Sequence, residues 1–349
     1  MKSPEIYDVT IIGAGPAGLF SAFYSGLREM KTKVIEYQEH LGGKVHVYPE
    51  KMIWDIGALT PVSGEQLIEQ MIEQAKTFHP TIVCNEKVTA ISKDEQGIFI
   101  LDTSSGEKHC SKTVILAIGG GILNPQKLEI DGAEKFEISN LSYTIKSLKR
   151  FKDKTVLISG GGHTAVDWAN ELEPIARKVY LVYRKNELNA HEAHVTQLMN
   201  SSVDCLFDTD IQRLVANETR EYIQQVELKH SLTNQLSHIE IDELVVNHGF
   251  VREKKLLEES ELQIEMANEY FIAGSPFSET SIPGIYGAGD VIMYDGKVHL
   301  IAGAFQDAVN AVNKAKQFVE PDAFESGMVS SHNDIFKKRN KKLVAELIK

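Results

Sequence analysis

The chain has 349 residues, 42% of them hydrophobic and 25% charged, with a formal net charge of −12 at pH 7. That length is long for one core and comfortable for two domains, and the acidity argues against a general nucleic-acid binder. No apolar run approaches the ~20 residues that span a bilayer, and the three cysteines (Cys84, Cys110, Cys205) form no Cys-x-x-Cys, which excludes a sequence-local redox disulfide or a zinc ribbon. The N-terminus has no signal-like apolar core before its first strand, so a cytoplasmic protein is expected, with no membrane segment and no metal site.

The first element is an apolar strand from Asp8 that ends in Gly13-Ala-Gly15-Pro16-Ala17-Gly18 and continues as a helix. Gly13, Gly15 and Gly18 make the Gly-x-Gly-x-x-Gly spacing of a dinucleotide-binding turn. One glycine allows the tight turn, one lets the backbone approach a pyrophosphate, and one lets the helix lie close on the strand. The next strand, Lys33-Val-Ile-Glu36, ends on an acid placed to accept the ribose hydroxyls of an adenosine. A glycine loop, Gly42-Gly43-Lys44, follows, then Tyr48-Pro49, a ring placed to stack on a flat cofactor. Ser63 to Phe78 reads as a helix with Leu67, Met71 and Ala75 on one stripe. Ile82 to Asp94 and Gly97 to Thr103 read as strands of a meander, and the strand from Lys112 ends in Gly119-Gly120-Gly121.

A second cycle begins at Lys154. Its turn is Gly160-Gly161-Gly162-His163-Thr164-Ala165, the same fingerprint with Ala165 as the small residue for helix packing. The spacing that led from Gly13 to Glu36 leads from Gly160 to Tyr183, followed directly by Arg184 and Lys185. An acid there would repel a 2′-phosphate and an arginine fork would hold one, so the second site reads as NADP rather than NAD. Strands near 203–207, 213–216, 223–228 and 239–241 resemble the first meander, and the strand from Asp242 ends at Gly249. Ile282 to Val291 returns to the first domain as strand, glycine turn (Gly287, Gly289) and Asp290 at a helix entry, where the carboxylate can hold a ribityl or diphosphate group. His299 to Phe318 reads as a helix, and the tail ends in a basic amphipathic one.

This order of motifs resembles the thioredoxin-reductase-like flavoproteins, and most closely the bacterial ferredoxin/flavodoxin–NADP+ reductases of that type. The likeness covers essentially the whole chain and rests on Gly13-Ala-Gly-Pro-Ala-Gly18, Leu41-Gly-Gly with Tyr48-Pro-Glu-Lys, and Gly161-Gly-His-Thr-Ala-Val-Asp-Trp-Ala169. Arg184 before Ala190-His191-Glu192, Val246-Asn-His-Gly-Phe250 and Gly287-Ala-Gly-Asp290 complete it. It implies an α/β fold of two Rossmann-like three-layer domains, the NADP domain (120–249) inserted into an FAD domain (1–119 and 250–349). It also implies a homodimer, FAD on the first site and NADPH as substrate on the second. Glu36 would then bind the FAD ribose and Tyr48 stack on the isoalloxazine, with Lys44, Val88, Leu123, Asp290 and Ser331 lining the flavin.

Three departures from that family are visible. Where thioredoxin reductases carry Cys-x-x-Cys, this chain has Leu141 to Leu148, so electrons are expected to leave the flavin directly for an acidic carrier, ferredoxin or flavodoxin. The usual second and third arginines of the NADP site are Lys185 and Asn189, which suits a looser 2′-phosphate grip. The residue covering the second flavin face is Val329, ahead of Ser330-Ser331, or His332 if the alignment slips by three. The alternatives are an NAD(P)H oxidase or free-flavin reductase without a protein acceptor, a disulfide reductase, which the cysteines disfavour, and a non-enzymatic NADP sensor.

Overall fold

The computed structural model describes residues 5–59, 61–253 and 255–348; the side chains of 122, 123, 251–253, 255, 338, 339 and 342 also lie outside the description. The chain divides into two compact units. One comprises Met1–His46, Lys51–Ile122 and Glu253–Lys349, the other Val47–Glu50 and Leu123–Arg252. The short segment holding Tyr48 therefore packs with the second unit, although it lies in the 1–119 stretch of the sequence.

In the first unit, β1 (Ile6–Ile12) leads through the glycine turn into α1 (Pro16–Leu27), then β2 (Thr32–Ile35), α2 (Gly64–Ala75), β3 (Thr81–Val83), β4 (Val88–Lys93), β5 (Phe99–Thr103) and β6 (Lys108–Leu116). Ser63 caps α2, its hydroxyl accepting from the Gln66 N–H while the Gln66 side chain accepts from the Ser63 N–H, a reciprocal capping box. Val9, Thr10 and Ile11 are fully buried in succession. Such an unbroken buried run marks a central parallel strand covered on both faces. β1 pairs in parallel with β2 on one side and β6 on the other, and β2 pairs in parallel with β3. β4, β5 and β6 form an antiparallel meander. The stretch from Ile82 to Asp94 is thus not one meander strand. It breaks at Asn85, which turns with φ +56°, and its first part joins the parallel sheet.

The crossing strand β7 (Ile122–Pro125) enters the second unit, and its pairing partner β16 (Phe250–Glu253) leaves it. Between them lie β8 (Leu141–Ser142), β9 (Thr155–Ser159), α3 (His163–Leu172), β10 (Lys178–Val182), α4 (Glu192–Met199), β11 (Asp204–Leu206), β12 (Thr209–Ala216), β13 (Ile223–His230), β14 (Leu236–Glu240) and β15 (Glu243–Val246). The order β8-β15-β9-β10-β11 is parallel throughout, and β12-β13-β14 is a separate antiparallel sheet. The strand near 203–207 accordingly belongs to the parallel sheet rather than to a meander. Alternation explains the layers. Val156 and Ile158 of β9 pack with Ala165, Val166, Ala169 and Leu172 of α3, whereas Leu157 packs with Ile223, Val226 and Leu228 of β13.

The chain then returns to the first unit, where β17 (Ile285–Gly287) pairs in parallel with β6. α5 (Ile301–Val319) packs its buried Ala308, Ala311, Val312 and Ala315 inward and lies against α1, and α6 (Asp334–Leu347) ends the chain. The residues around Asp290 form a single 3-10 turn, Gly289–Val291, and not the start of a long helix, which begins only at Ile301. Among the described residues no helix is long and apolar enough to cross a membrane.

Two buried polar groups are expected to contribute to stability. Asn140 is buried; its amide donates to the carbonyls of Ile223 and Asp242 at 2.8 and 3.0 Å, and its oxygen accepts from the Ile223 N–H at 2.8 Å. Asn140→Leu strands those groups without partners, and is expected to cost about 2–4 kcal/mol, read as a lower denaturant midpoint; an unchanged midpoint would refute the role. In the first unit His109 is buried with Nδ1 3.1 Å from Lys33 Nζ. Desolvation first, then the Lys33 charge, hold this imidazole below its usual range. A histidine whose folded pKa is depressed gives stability that is present above the unfolded pKa, about 6.5, and lost as pH falls towards the folded one. His109→Gln should therefore flatten the loss of unfolding free energy between pH 7 and 5, by up to about 1.4 kcal/mol per pH unit. Identical pH slopes for the two proteins would contradict this.

Candidate dinucleotide sites

Both glycine turns sit where the strand order reverses. β2 and β3 lie on one side of β1 and β6 on the other; β10 and β11 lie on one side of β9 and β15 on the other. Open parallel sheets bind ligands at such switch points, beyond the carboxyl ends of the strands. The two turns share their tightest contacts. Gly13 has φ +96°, and a Cβ there would lie 2.5 Å from the Ala117 carbonyl oxygen at the end of β6. Gly160 has φ +146°, and a Cβ would lie 2.4 Å from the Asn247 oxygen at the end of β15. At Gly18 a Cβ would come within 1.9 Å of the Gly13 oxygen; Ala165 takes that place in the second copy and is fully buried.

The middle glycines differ in kind. A Cβ on Gly15 would meet nothing nearer than the Gly43 Cα at 3.8 Å, and one on Gly162 would meet nothing within 4 Å. Packing within the chain does not demand glycine at either position. Each is the N-cap of its helix, with no side-chain cap for the first-turn N–H groups of α1 and α3. Two uncapped helix starts with backbone open in front of them fit the diphosphate of a dinucleotide. Opposite the first, Gly43 bears φ +60°, and a Cβ on it would lie 2.7 Å from the Gly15 Cα, so the Gly42-Gly43 loop closes over the turn.

The strand ends separate the two sites. Glu36 is buried; Oε2 accepts from the Ala14 N–H at 2.6 Å and Oε1 from the Gln38 N–H at 2.8 Å. In the second copy the Tyr183 ring takes that place and lies against Gly161, where a Cβ would fall 2.2 Å from the ring. Glycine at 161, the middle of the three, is thus a consequence of the tyrosine. Arg184 and Lys185 beyond it are exposed. His248 accepts or donates a 2.8 Å hydrogen bond with Ser159 Oγ, and desolvation first, then the nearby Arg184 guanidinium, hold it below the usual imidazole range. His163 and Thr164 are exposed on the first turn of α3, and the His163 ring lies 4.6 Å from that of His191. The Asn189 N–H donates to the Gly161 oxygen at 2.8 Å, so the segment after Lys185 is tied to the turn by backbone, whatever its side chain.

The remaining expected residues are more scattered. Pro16 and Ala17 open α1, Lys44 is exposed on the 3-10 turn Gly43–Val47, and Gly289 has φ +80° with Ala17 Cβ 2.9 Å from where its own Cβ would be. Asp290 is half exposed, 3.6 Å from His299 Nδ1. The Tyr48 ring packs on the core of the second unit, and Val88 is buried in the core of the first. Leu123 lies in β7, with its side chain outside the described residues. Val329 and His332 bracket the 3-10 turn Ser330–His332, with the His332 N–H donating to the Val329 oxygen at 2.9 Å, and Ser331 is exposed between them.

All three cysteines are free, and burial pushes each thiol above its usual range. Raised thiols are poor nucleophiles. Among the described residues no group of three or more His, Cys, Asp or Glu is arranged to hold a metal. Sequence reasoning missed Asn189 as a backbone partner, His191 as a neighbour of His163, and Asp307, whose carboxylate accepts from the Gly289 N–H at 2.9 Å. Only His191 carried a signal in the sequence, as part of Ala190-His191-Glu192.

A family model described as pyridine nucleotide-disulphide oxidoreductase matches residues 7–315. Ferredoxin--NADP reductase 1 of Bacillus mycoides is 64% identical over 349 residues, covering 100% of each chain. The Bacillus licheniformis protein of the same name is 60% identical over 347 residues, 99% of each. Among solved structures, Lactococcus lactis thioredoxin reductase superposes with a TM-score of 0.74 at 25% identity, over 90% of this chain and 99% of that one. The bacillithiol disulfide reductase of Staphylococcus aureus shares the fold, with a TM-score of 0.67 at 19% identity over 88% and 98%.

Proposed function

Because the chain belongs to the pyridine nucleotide-disulphide oxidoreductase family, and within it to the ferredoxin–NADP reductases, we propose that it passes electrons from NADPH through FAD to ferredoxin or flavodoxin. The observation that carries this reading is the contrast between two turns of the same backbone: a buried carboxylate serves the first, and a tyrosine followed by two cations the second. The first holds FAD, with the diphosphate at the uncapped start of α1 (Gly15, Pro16, Ala17, Gly18), the ribose on Glu36, and Gly43 and Lys44 closing over it. Glu36 keeps free lone pairs beyond its two backbone bonds, so it can accept ribose hydroxyls without giving up the turn. Asp290 and Gly289 belong to this unit with Val329 and His332, one of which covers the ring, whereas the Tyr48 ring packs on the core of the second unit.

The second turn holds NADPH, with the diphosphate at Gly162, His163 and Thr164 and the 2′-phosphate on Arg184 and Lys185. A guanidinium fork and an ammonium attract that phosphate, and an NADH ribose gains nothing comparable from them. The chemistry that bound FAD supplies is the conversion of one hydride into electrons delivered singly. Hydride transfer needs no side-chain acid or base, since a hydride carries its own electron pair, and the one proton left when its two electrons depart would go to solvent. The chain also has no Cys-x-x-Cys dithiol through which a disulfide reductase would route those electrons; its three cysteines are free, and burial raises each thiol above its usual range. The protein is proposed to work as a cytoplasmic homodimer. Acid extraction of the purified protein tests the cofactor assignment: one FAD per chain is expected, bleached by NADPH under nitrogen, and a colourless protein would return the sensor reading. Fast oxygen uptake with no stimulation by a carrier protein would favour the oxidase.

A further inference from the structure

Asp307, on the second turn of α5, is fully buried, and the side chain of its partner Lys297 is 1% exposed. Its carboxylate accepts from Lys297 Nζ at 2.5 Å, from the Tyr294 hydroxyl at 2.6 Å and from the Gly289 N–H at 2.9 Å. The Asp307 carbonyl in turn accepts from the hydroxyl of Ser278, a buried residue held at φ +67° whose own carbonyl takes the Gly287 N–H. One acid thus ties together the β17 end, the Gly289–Asp290 turn, the 294–297 loop and the first half of α5.

A buried ion pair is a poor way to gain stability, because desolvation offsets most of the attraction and apolar residues of similar volume often do as well. What this pair does provide is direction. Three donors fix the carboxylate in one orientation, and one of them is the backbone of the turn that carries Asp290. That turn is pressed on the start of α1, since a Cβ on Gly289 would lie 2.9 Å from Ala17. Burial first, then Asp307, raise the Tyr294 hydroxyl pKa far above its usual range, so this donor keeps its proton at any working pH.

We propose that Asp307, with Lys297 and Tyr294, is a positioning residue of the flavin site, which sets the Gly289–Asp290 turn against the first turn of α1 and aims Asp290 at the flavin. The inference rests on the first unit holding FAD. Asp307→Asn leaves an ammonium buried without its carboxylate and is expected to lower thermal stability. Asp307→Asn/Lys297→Met removes both charges and should recover most of that loss.

The deciding measurements use apoprotein titrated with FAD. The double variant is expected to fold, to bind FAD at least tenfold more weakly than wild type, and to displace the visible spectrum of the bound flavin. Asp290→Asn should weaken FAD binding in the wild-type background and have a clearly smaller effect in the double variant, which a merely structural network would not produce. A folded double variant with wild-type affinity and an undiminished Asp290→Asn effect overturns the proposal. So does a double variant that cannot fold, which would make the network a folding element. Wild-type protein that takes up no FAD would instead remove the functional reading on which the proposal rests.

Discussion

Gly18→Ala is expected to purify without flavin, if it accumulates folded at all. The added methyl would lie 1.9 Å from the Gly13 oxygen and 2.9 Å from its carbon. Both neighbours are backbone, so no rotamer change relieves the overlap. Either α1 retreats from β1, which opens the diphosphate cradle, or the Gly13 turn deforms. Gly13 cannot give way readily, since its own Cβ position is already 2.5 Å from the Ala117 oxygen. Overpacking by one methylene in a tight core costs about 1–3 kcal/mol, and here the strain falls on the ligand-binding turn itself. FAD affinity should drop by more than about 100-fold, equivalent to roughly 2.7 kcal/mol. Gly57→Ala is the control: nothing lies within 4 Å of its added methyl, so flavin content should not change. A yellow Gly18→Ala protein with wild-type affinity would refute the packing argument.

Gly162→Val should separate ligand approach from packing in the second unit. No atom of the chain lies within 4 Å of a Cβ at this position, and the backbone there, with φ −92° and ψ 179°, is extended and open to any residue. Thermal stability should fall by no more than about 1 kcal/mol, the loss expected when a glycine N-cap becomes valine. The branched side chain stands where the cofactor backbone must come close, so KM for NADPH should rise by about 30-fold or more, equivalent to roughly 2 kcal/mol. NADH should suffer alike, because the diphosphate is common to both. A variant that binds NADPH normally would mean that this turn does not face the diphosphate.

Much of this arrangement was legible in the sequence because it is local. Glycine spacing reports a turn that only glycine tolerates, and the residue at the end of the next strand follows at a nearly fixed distance, so Glu36 and Tyr183-Arg184-Lys185 could be compared as equivalents. Strand partners were less legible. Alternation from Ile82 onwards does not say whether a strand will pair in parallel or antiparallel; Asn85 decided it by turning through positive φ. Gly161 looked like part of the fingerprint, yet its need for hydrogen in place of a side chain comes from the Tyr183 ring. Asp307 was hidden altogether. A single acid in an alanine-rich helix reads as the solvent side, and its burial depends on a lysine and a tyrosine whose positions only the tertiary fold fixes.

The claim that electrons leave the flavin without a dithiol is the one on which the rest depends. It is tested most directly by anaerobic, NADPH-driven reduction of ferredoxin by a variant with Cys84, Cys110 and Cys205 all changed to Ala. The account predicts that this cysteine-free enzyme keeps at least half the wild-type rate, and that neither protein reduces a disulfide substrate at a comparable rate. Loss of ferredoxin reduction in a variant that still folds and holds FAD, or efficient disulfide reduction by the wild type, would contradict it.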